Sequence, residues 1–508
     1  MEVLKHLEPE KVFFYFEELC KIPHSSRNTK AISDYCASFA REHALRYIQD
    51  DSNNIIIFKD GSTGYEHSAA VILQGHLDMV CEKDADCEID FTKDGLTLEV
   101  HGDDIMAKGT TLGGDDGIAV AFALAILSDD SLPHPPLEVV LTVDEEIGML
   151  GAASLDCSPL KGRIMLNLDS EDEGKLLVSC AGGVTAVCHL PIMREQTEAS
   201  PLITAHKKNK YTLTVSGLAG GHSGVEIDKG RANANQILGR LLFSLSKEID
   251  LRLCSVQGGL KDNAIPREAS ADFIAADSDL QPAELRKQLE SFVNKWTGIL
   301  KHEYKNTDSG ITIAISEHTN SDAAATSHSP AVPCKPLTLA STRCAITALY
   351  NLPGGVIRMS RDIEGLVQTS LNMGILKTEA DEIIYSFSVR SSLATEKEEL
   401  LSRMECLLDS LGGSISLEGD YPAWEYRADS PLRELMVTVF KEQYGYSPEI
   451  QALHAGVECG LFAGKLPGLD CVSFGPMIQD IHTPKERLSI SSCARTWQYT
   501  LELLKRLK

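Results

Sequence analysis

Several short stretches of this chain carry acidic or imidazole side chains in patterns that suit a metal. GHLDMV (75–80) sets His76 and Asp78 two residues apart at the end of an apolar run. At strand spacing both side chains point to one face. A metal-ligating imidazole usually gives its other ring N–H to a carboxylate, so the pair suits a ligand and its orienter. KGTTLGGDDGIAVA (108–121) places Asp115 and Asp116 at the start of an apolar helix. One aspartate suffices to cap that helix, which frees the other to reach into a site. LTVDEEIGMLGA (141–152) ends an apolar strand in Asp144, Glu145 and Glu146. Three adjacent carboxylates repel one another unless a cation or protons sit among them. NLDSEDEG (167–174) ends the next strand in acid too, and His482 follows a Gly-Pro turn in FGPMIQDIHTPKERL (474–488).

In open α/β sheets, ligand sites form at the carboxyl ends of strands, where these groups terminate their apolar runs. Two imidazoles and three or more carboxylates suit zinc, or less selectively cobalt or manganese. That set exceeds the roughly three protein ligands of a single open zinc site. A carboxylate shared between two metals ~3.5–4 Å apart accounts for the excess.

The elements that must position these groups alternate helix and strand up to about residue 180. Helices are expected at 11–20, 29–45 and 116–129, and strands at 53–58, 69–78, 136–146 and 162–171. Apolar strands between helices predict a mostly parallel sheet sandwiched by helices. From 186 to 392 alternating, half-exposed strands such as KYTLTVSGL (210–218) take over, with an amphipathic helix at 232–249. ITALYNL (346–352) reads as a further strand and the stretch near 361–372 as helical. Helices near 395–411 and 430–443 and a strand at 469–476 restore the first pattern. The expected organisation is an α/β domain built from 1–185 and 393–508, with an α+β domain, 186–392, inserted as a lid. A chain of 508 residues exceeds one core, which fits two domains.

The net charge of −25 argues against nucleic-acid and anionic-membrane partners, which need clustered Lys and Arg. The N-terminal stretch lacks a basic segment followed by an apolar run, and the longest apolar run, 118–127, falls short of a membrane span. The 14 cysteines form no CxxC pair. Reduced thiols in a cytosolic compartment are therefore expected, with any metal held by imidazoles and carboxylates.

GHLDMV, GTTLGGDDG, DEEIG, NLDSE, GGHSG, KDNAIPREA and HAGVECGLF, in that order, span nearly the whole chain. As a set they resemble the aminoacyl-histidine (Xaa-His) dipeptidases. These belong with the co-catalytic zinc exopeptidases that include carnosinase, aminoacylase and carboxypeptidase G. The resemblance implies hydrolysis of dipeptides with two zinc ions per chain, cobalt or manganese being possible substitutes. Deacylation of N-acyl amino acids or cleavage of tripeptides stands as the alternative. The resemblance makes His76 and Asp169 ligands of one zinc, and Glu146 and His482 ligands of the other. Asp115 would bridge them, Asp78 would orient His76, Asp116 would cap its helix, and Glu145 would be the general base. His222 would stabilise an oxyanion. Asn263 and Arg390 would bind substrate, and His454 and Glu458 would line its pocket. The inserted domain could join two copies into a homodimer or do without a partner.

Overall fold

VILQGH, LEVVLT and IMLN become the strands Val71–His76, Leu137–Thr142 and Ile164–Asn167. They lie parallel, with Val71–His76 in the middle. Nearly every residue in them is buried, which is why they read as continuous apolar runs. Parallel alignment carries their C-terminal ends to one edge of the sheet. Here and below, the computed structural model describes residues 3–195, 210–275, 281–318 and 335–508.

Among the described residues this sheet has eight strands. Their order is Arg46–Gln49, Ile55–Lys59, Leu137–Thr142, Val71–His76, Ile164–Asn167, Asp470–Ser473, Lys175–Cys180 and Glu449–Leu453. The middle is parallel, and each of the first three strands runs antiparallel to its neighbour among them. Helix Gly114–Leu127 is buried almost all round, as an apolar helix must be. It packs between helix Glu10–Cys20 and strand Val71–His76.

The chain divides into two compact units, Met1–Cys180 with Ala423–Lys508, and Ala181–Pro422. The sequence placed the second boundary near 392; it falls later. Strand Ser414–Tyr421 pairs with Gly182–Pro191, and Leu400, Met404 and Leu408 of helix Ala394–Ser410 enter the second unit's core.

The second unit is an antiparallel sheet carrying helices Ala234–Leu245, Pro282–Glu303, Leu339–Asn351 and Ala394–Ser410. Burial alternates along Lys210–Ser216, so one face of that strand is covered. Two sequence-based elements change type here. ITALYNL lies mostly within helix Leu339–Asn351, where Ser341, Thr342, Ala345, Ile346, Ala348 and Leu349 form the buried stripe. The stretch near 361–372 runs into strand Val367–Thr378, buried on both faces at its centre. A short apolar run of this kind carries no period that separates helix from strand.

Candidate metal centre

His76 is the last residue of its strand and is buried. Its Nδ1 lies 2.9 Å from the Asp78 carbonyl oxygen and 3.6 Å from Asp78 Oδ1. An N–H there leaves Nε2 as a lone pair, facing Asp115 Oδ1 at 3.2 Å and Asp169 Oδ1 at 3.7 Å. The Asp78 carboxylate does more than orient a ring. It accepts the Ser26 hydroxyl at 2.8 Å and the backbone N–H groups of Glu145 at 3.0 Å and Glu146 at 3.4 Å. The strand end bearing His76 is thereby fastened to the turn bearing the two glutamates.

That turn separates the three acids. Asp144 adopts a left-handed conformation, φ 54°, and accepts the Arg27 N–H at 2.5 Å. Glu146 reaches His482 Nε2, 3.1 Å from each of its oxygens. Glu145 has other surroundings. Burial pushes its carboxyl up to about 8, against the pull of His76 and with help from Glu458 and Glu146. A carboxyl that exchanges a proton near neutral pH has the property a general base needs.

Asp115 lies between the imidazoles. Its Oδ1 faces His76 at 3.2 Å, and its Oδ2 faces His482 Nε2 at 3.3 Å. His482 also sits in a left-handed turn, φ 60°. Donor atoms of His76, Asp115 and Glu146 lie close enough together to hold an ion, as do those of His76, Asp116 and Asp169.

Asp116 does not cap its helix. The regular helix begins only after Asp116, because Asp115 and Asp116 have non-helical backbone angles, and the Asp116 carboxylate accepts the backbone N–H of His76 at 3.1 Å. A Cβ on Gly75 would lie 2.5 Å from Asp116 Oδ2, so this close approach requires glycine. The turn that leads into the helix is held by Glu486, which the sequence reading missed. Its carboxylate accepts the N–H groups of Leu112, Gly113, Gly114 and Asp115. No local pattern in HTPKERL announces this, because the partners lie more than 370 residues away.

The centre's electrostatics suit a cation. Burial drives Asp116 and Asp169 well above the usual carboxylate range, and raises Glu458 to about 7. Burial opposes charge on His76, yet Asp115 and Asp78 draw a proton onto it, and Asp115 and Glu146 raise His482 to about 10. The carboxylates thus demand positive charge at both imidazoles. Divalent ions meet that demand, and the imidazole and carboxylate donors fit zinc.

Glu458 does not line an open pocket. It is fully buried at the start of helix Glu458–Lys465, where Oε2 accepts Gln74 Nε2 at 2.5 Å and Thr142 Oγ1 at 2.7 Å. Its place is under the strands that carry the centre, since both partners belong to them. His454 is buried as well.

His222, Asn263 and Arg390 belong to the second unit. Gly221–His222 pairs with Ala264–Ile265, so His222 sits beside the Asn263 loop, and Ser223 N–H donates to the Asn263 carbonyl at 2.9 Å. The buried Asn372 amide donates to the carbonyls of Asp262 at 3.0 Å and Ala264 at 2.9 Å, holding both sides of Asn263. His222 Nδ1 accepts the N–H groups of Gly224 at 3.0 Å and Val225 at 3.2 Å. Burial and the Arg390 guanidinium keep the ring neutral by lowering its pKa. The proton therefore sits on Nε2, as a hydrogen-bond donor. Arg390 Nη1 donates to the Tyr421 hydroxyl at 3.1 Å, and Tyr421 packs where a side chain on Gly183 would stand.

Residues 213–308 match the family model described as the peptidase dimerisation domain. Over 508 residues, its whole length, the chain is 37% identical to the cytosol non-specific dipeptidase of Escherichia coli (strain K12), and it covers 99% of that protein. The chain belongs to the M20 family of metallopeptidases and is a metal-dependent hydrolase. The structure of the aminoacylhistidine dipeptidase from Vibrio alginolyticus superposes with a TM-score of 0.88 at 36% identity, covering 99% of this chain and 97% of the other. The aminopeptidase PepT from Bacillus cereus, 15% identical with a TM-score of 0.57 over 99% of each chain, shares the fold. No helix among the described residues is long and apolar enough to cross a membrane.

Proposed function

We propose that this chain is a dipeptidase that cleaves its substrate with two zinc ions, for which cobalt or manganese can substitute. His76 and Asp169 would hold one ion, Glu146 and His482 would hold the other, and Asp115 would be shared. The observation that carries this reading is Asp115, whose two oxygens face two different imidazoles at 3.2 and 3.3 Å. The dipeptidase names of the two similar full-length relatives support the substrate class.

When bound, such a pair supplies an acidified water and a Lewis acid for the carbonyl oxygen. Glu145 removes the water's proton through its carboxylate and returns it to the leaving amine. Asp78 holds His76 and the Glu145 backbone in register. His222 Nε2–H donates to the oxyanion, a charge present only along the reaction path. Arg390 binds the substrate carboxylate as a two-pronged donor, and Asn263 contacts the substrate nearby. A cytosolic location fits the name of the similar Escherichia coli protein, and a homodimer through the second unit fits the matched family model.

The test is dialysis against a chelator, restoration with zinc, cobalt or manganese, and assay on Xaa-His and other dipeptides, tripeptides and N-acyl amino acids. Activity should vanish with the metal, return with it, and favour dipeptides. Full turnover in a verified metal-free sample, or faster cleavage of acyl amino acids, would end this reading.

A further inference from the structure

The start of helix Gly114–Leu127 has an unusual cap. The first N–H groups of a helix need acceptors, normally a side chain at the cap position. Here a turn, Leu112 to Asp116, leads into the regular helix: Gly113 is left-handed, φ 67°, and neither Asp115 nor Asp116 has helical backbone angles, so the N–H groups of this turn need acceptors too. The two nearby aspartates are engaged elsewhere, Asp115 with the imidazoles and Asp116 with the His76 N–H. Glu486 fills the role with one buried carboxylate. Its Oε2 accepts Leu112 N–H at 2.8 Å and Gly113 N–H at 3.2 Å, and its Oε1 accepts Gly114 N–H at 2.8 Å and Asp115 N–H at 3.4 Å.

The other end of Glu486 is fastened just as firmly. Thr483 Oγ1 donates to the Asp480 carbonyl at 2.7 Å and accepts Lys485 N–H at 3.2 Å, and Glu486 N–H donates to the Thr483 carbonyl at 3.0 Å. Asp480 and His482 are both left-handed within this turn, φ 55° and 60°. One short, braced turn thus touches Asp115 twice. His482 faces its carboxylate, and Glu486 holds its backbone. A cap serving the helix alone has no need to come from the turn that carries an imidazole ligand.

We infer that Glu486 is a positioning residue that locks the Asp115 loop to the His482 turn and so sets the affinity of the metal position those two residues share with Glu146. The inference rests on the two-metal reading above. The position served by His76 and Asp169 draws those ligands from strand ends that Glu486 does not touch, so the effect of losing it is unequal.

The experiment titrates chelator-treated protein with Co²⁺, following calorimetry and the visible absorption of the bound ion, for wild type and Glu486→Gln. Glutamine keeps the size but turns a donor toward the four N–H groups. The ion held by Glu146 and His482 should bind about 10- to 100-fold more weakly, the usual range for outer-shell partners of a metal, and the other, which shares only Asp115 with this turn, should weaken by clearly less. Should the glutamine variant fail to fold, Glu486→Asp keeps the charge, falls one methylene short, and should show the same imbalance. Unchanged binding of both ions, or equal weakening of both alongside a lower Tm of the metal-free protein, marks Glu486 as a structural cap only and overturns the inference. Wild type that takes up fewer than two ions would instead sink the two-metal reading beneath it.

Discussion

Glu145 and Glu146 are neighbours in sequence with separate surroundings. Glu146 has both oxygens 3.1 Å from His482 Nε2. Glu145 donates its N–H to Asp78 and carries a carboxyl whose pKa burial raises to about 8. In the proposed mechanism one is a ligand and the other the proton carrier. Glu145→Gln should therefore keep both metals and lower kcat by at least ~10²–10⁴-fold, the typical worth of general acid–base catalysis. Glu146→Gln should lose an ion. Metal content by mass spectrometry beside kcat decides it: a depleted Glu145→Gln with a replete Glu146→Gln would reverse the two roles. The acid run stood out in the sequence because three carboxylates at one strand end repel one another unless a cation or protons sit among them, while the separate roles of the pair came from the family resemblance. Nothing in the run itself signals that Asp144 turns aside to Arg27, since that depends on a loop far away in the chain.

The strands that carry the centre were legible, because a strand buried on both faces must be written as an unbroken apolar run, and its C-terminal end is where polar residues return. Val71–His76 and Leu137–Thr142 follow that logic. Helix Gly114–Leu127 was legible for the same reason, but its cap was not. Capping rules are local, and here Glu486 acts across the whole fold while Asp116 is pulled onto strand Val71–His76. ITALYNL was misread because its burial comes from the packing of the second unit rather than from an alternation visible in seven residues. The contact between helix Gly114–Leu127 and strand Val71–His76 makes its own prediction. A methyl on Gly75 would lie 2.5 Å from Asp116 Oδ2 and 2.8 Å from the Ala119 Cβ. Gly75→Ala must push the strand end away from the helix, at a cost of about 1–3 kcal/mol for overpacking. His76 is the next residue, so metal uptake should weaken along with a lower Tm. A variant with wild-type Tm and metal content would show that the approach is not tight.

At the scale of the molecule, the first unit is assembled from two distant stretches, Met1–Cys180 and Ala423–Lys508. His76, Asp115, Glu146 and Asp169 come from the first stretch, and His482 comes from the second. A metal held by both is a cross-link that exists only in the folded state, because the unfolded chain does not bring these donors together. It also offsets the cost that burial and neighbouring carboxylates impose on charge at Asp116, Glu145 and Asp169. Binding to the native state alone stabilises by mass action, ~2.7 kcal/mol per site at a hundred times Kd. The thermal unfolding of chelator-treated protein should therefore begin several degrees lower than that of the zinc-loaded form, and its Tm should climb steadily with the logarithm of added zinc. In Glu146→Gln, with one position impaired, the climb should be shallower over the same range. A Tm that ignores zinc in the wild type would mean the ions bind folded and unfolded chain alike, and the idea that the metals join the two stretches would fail.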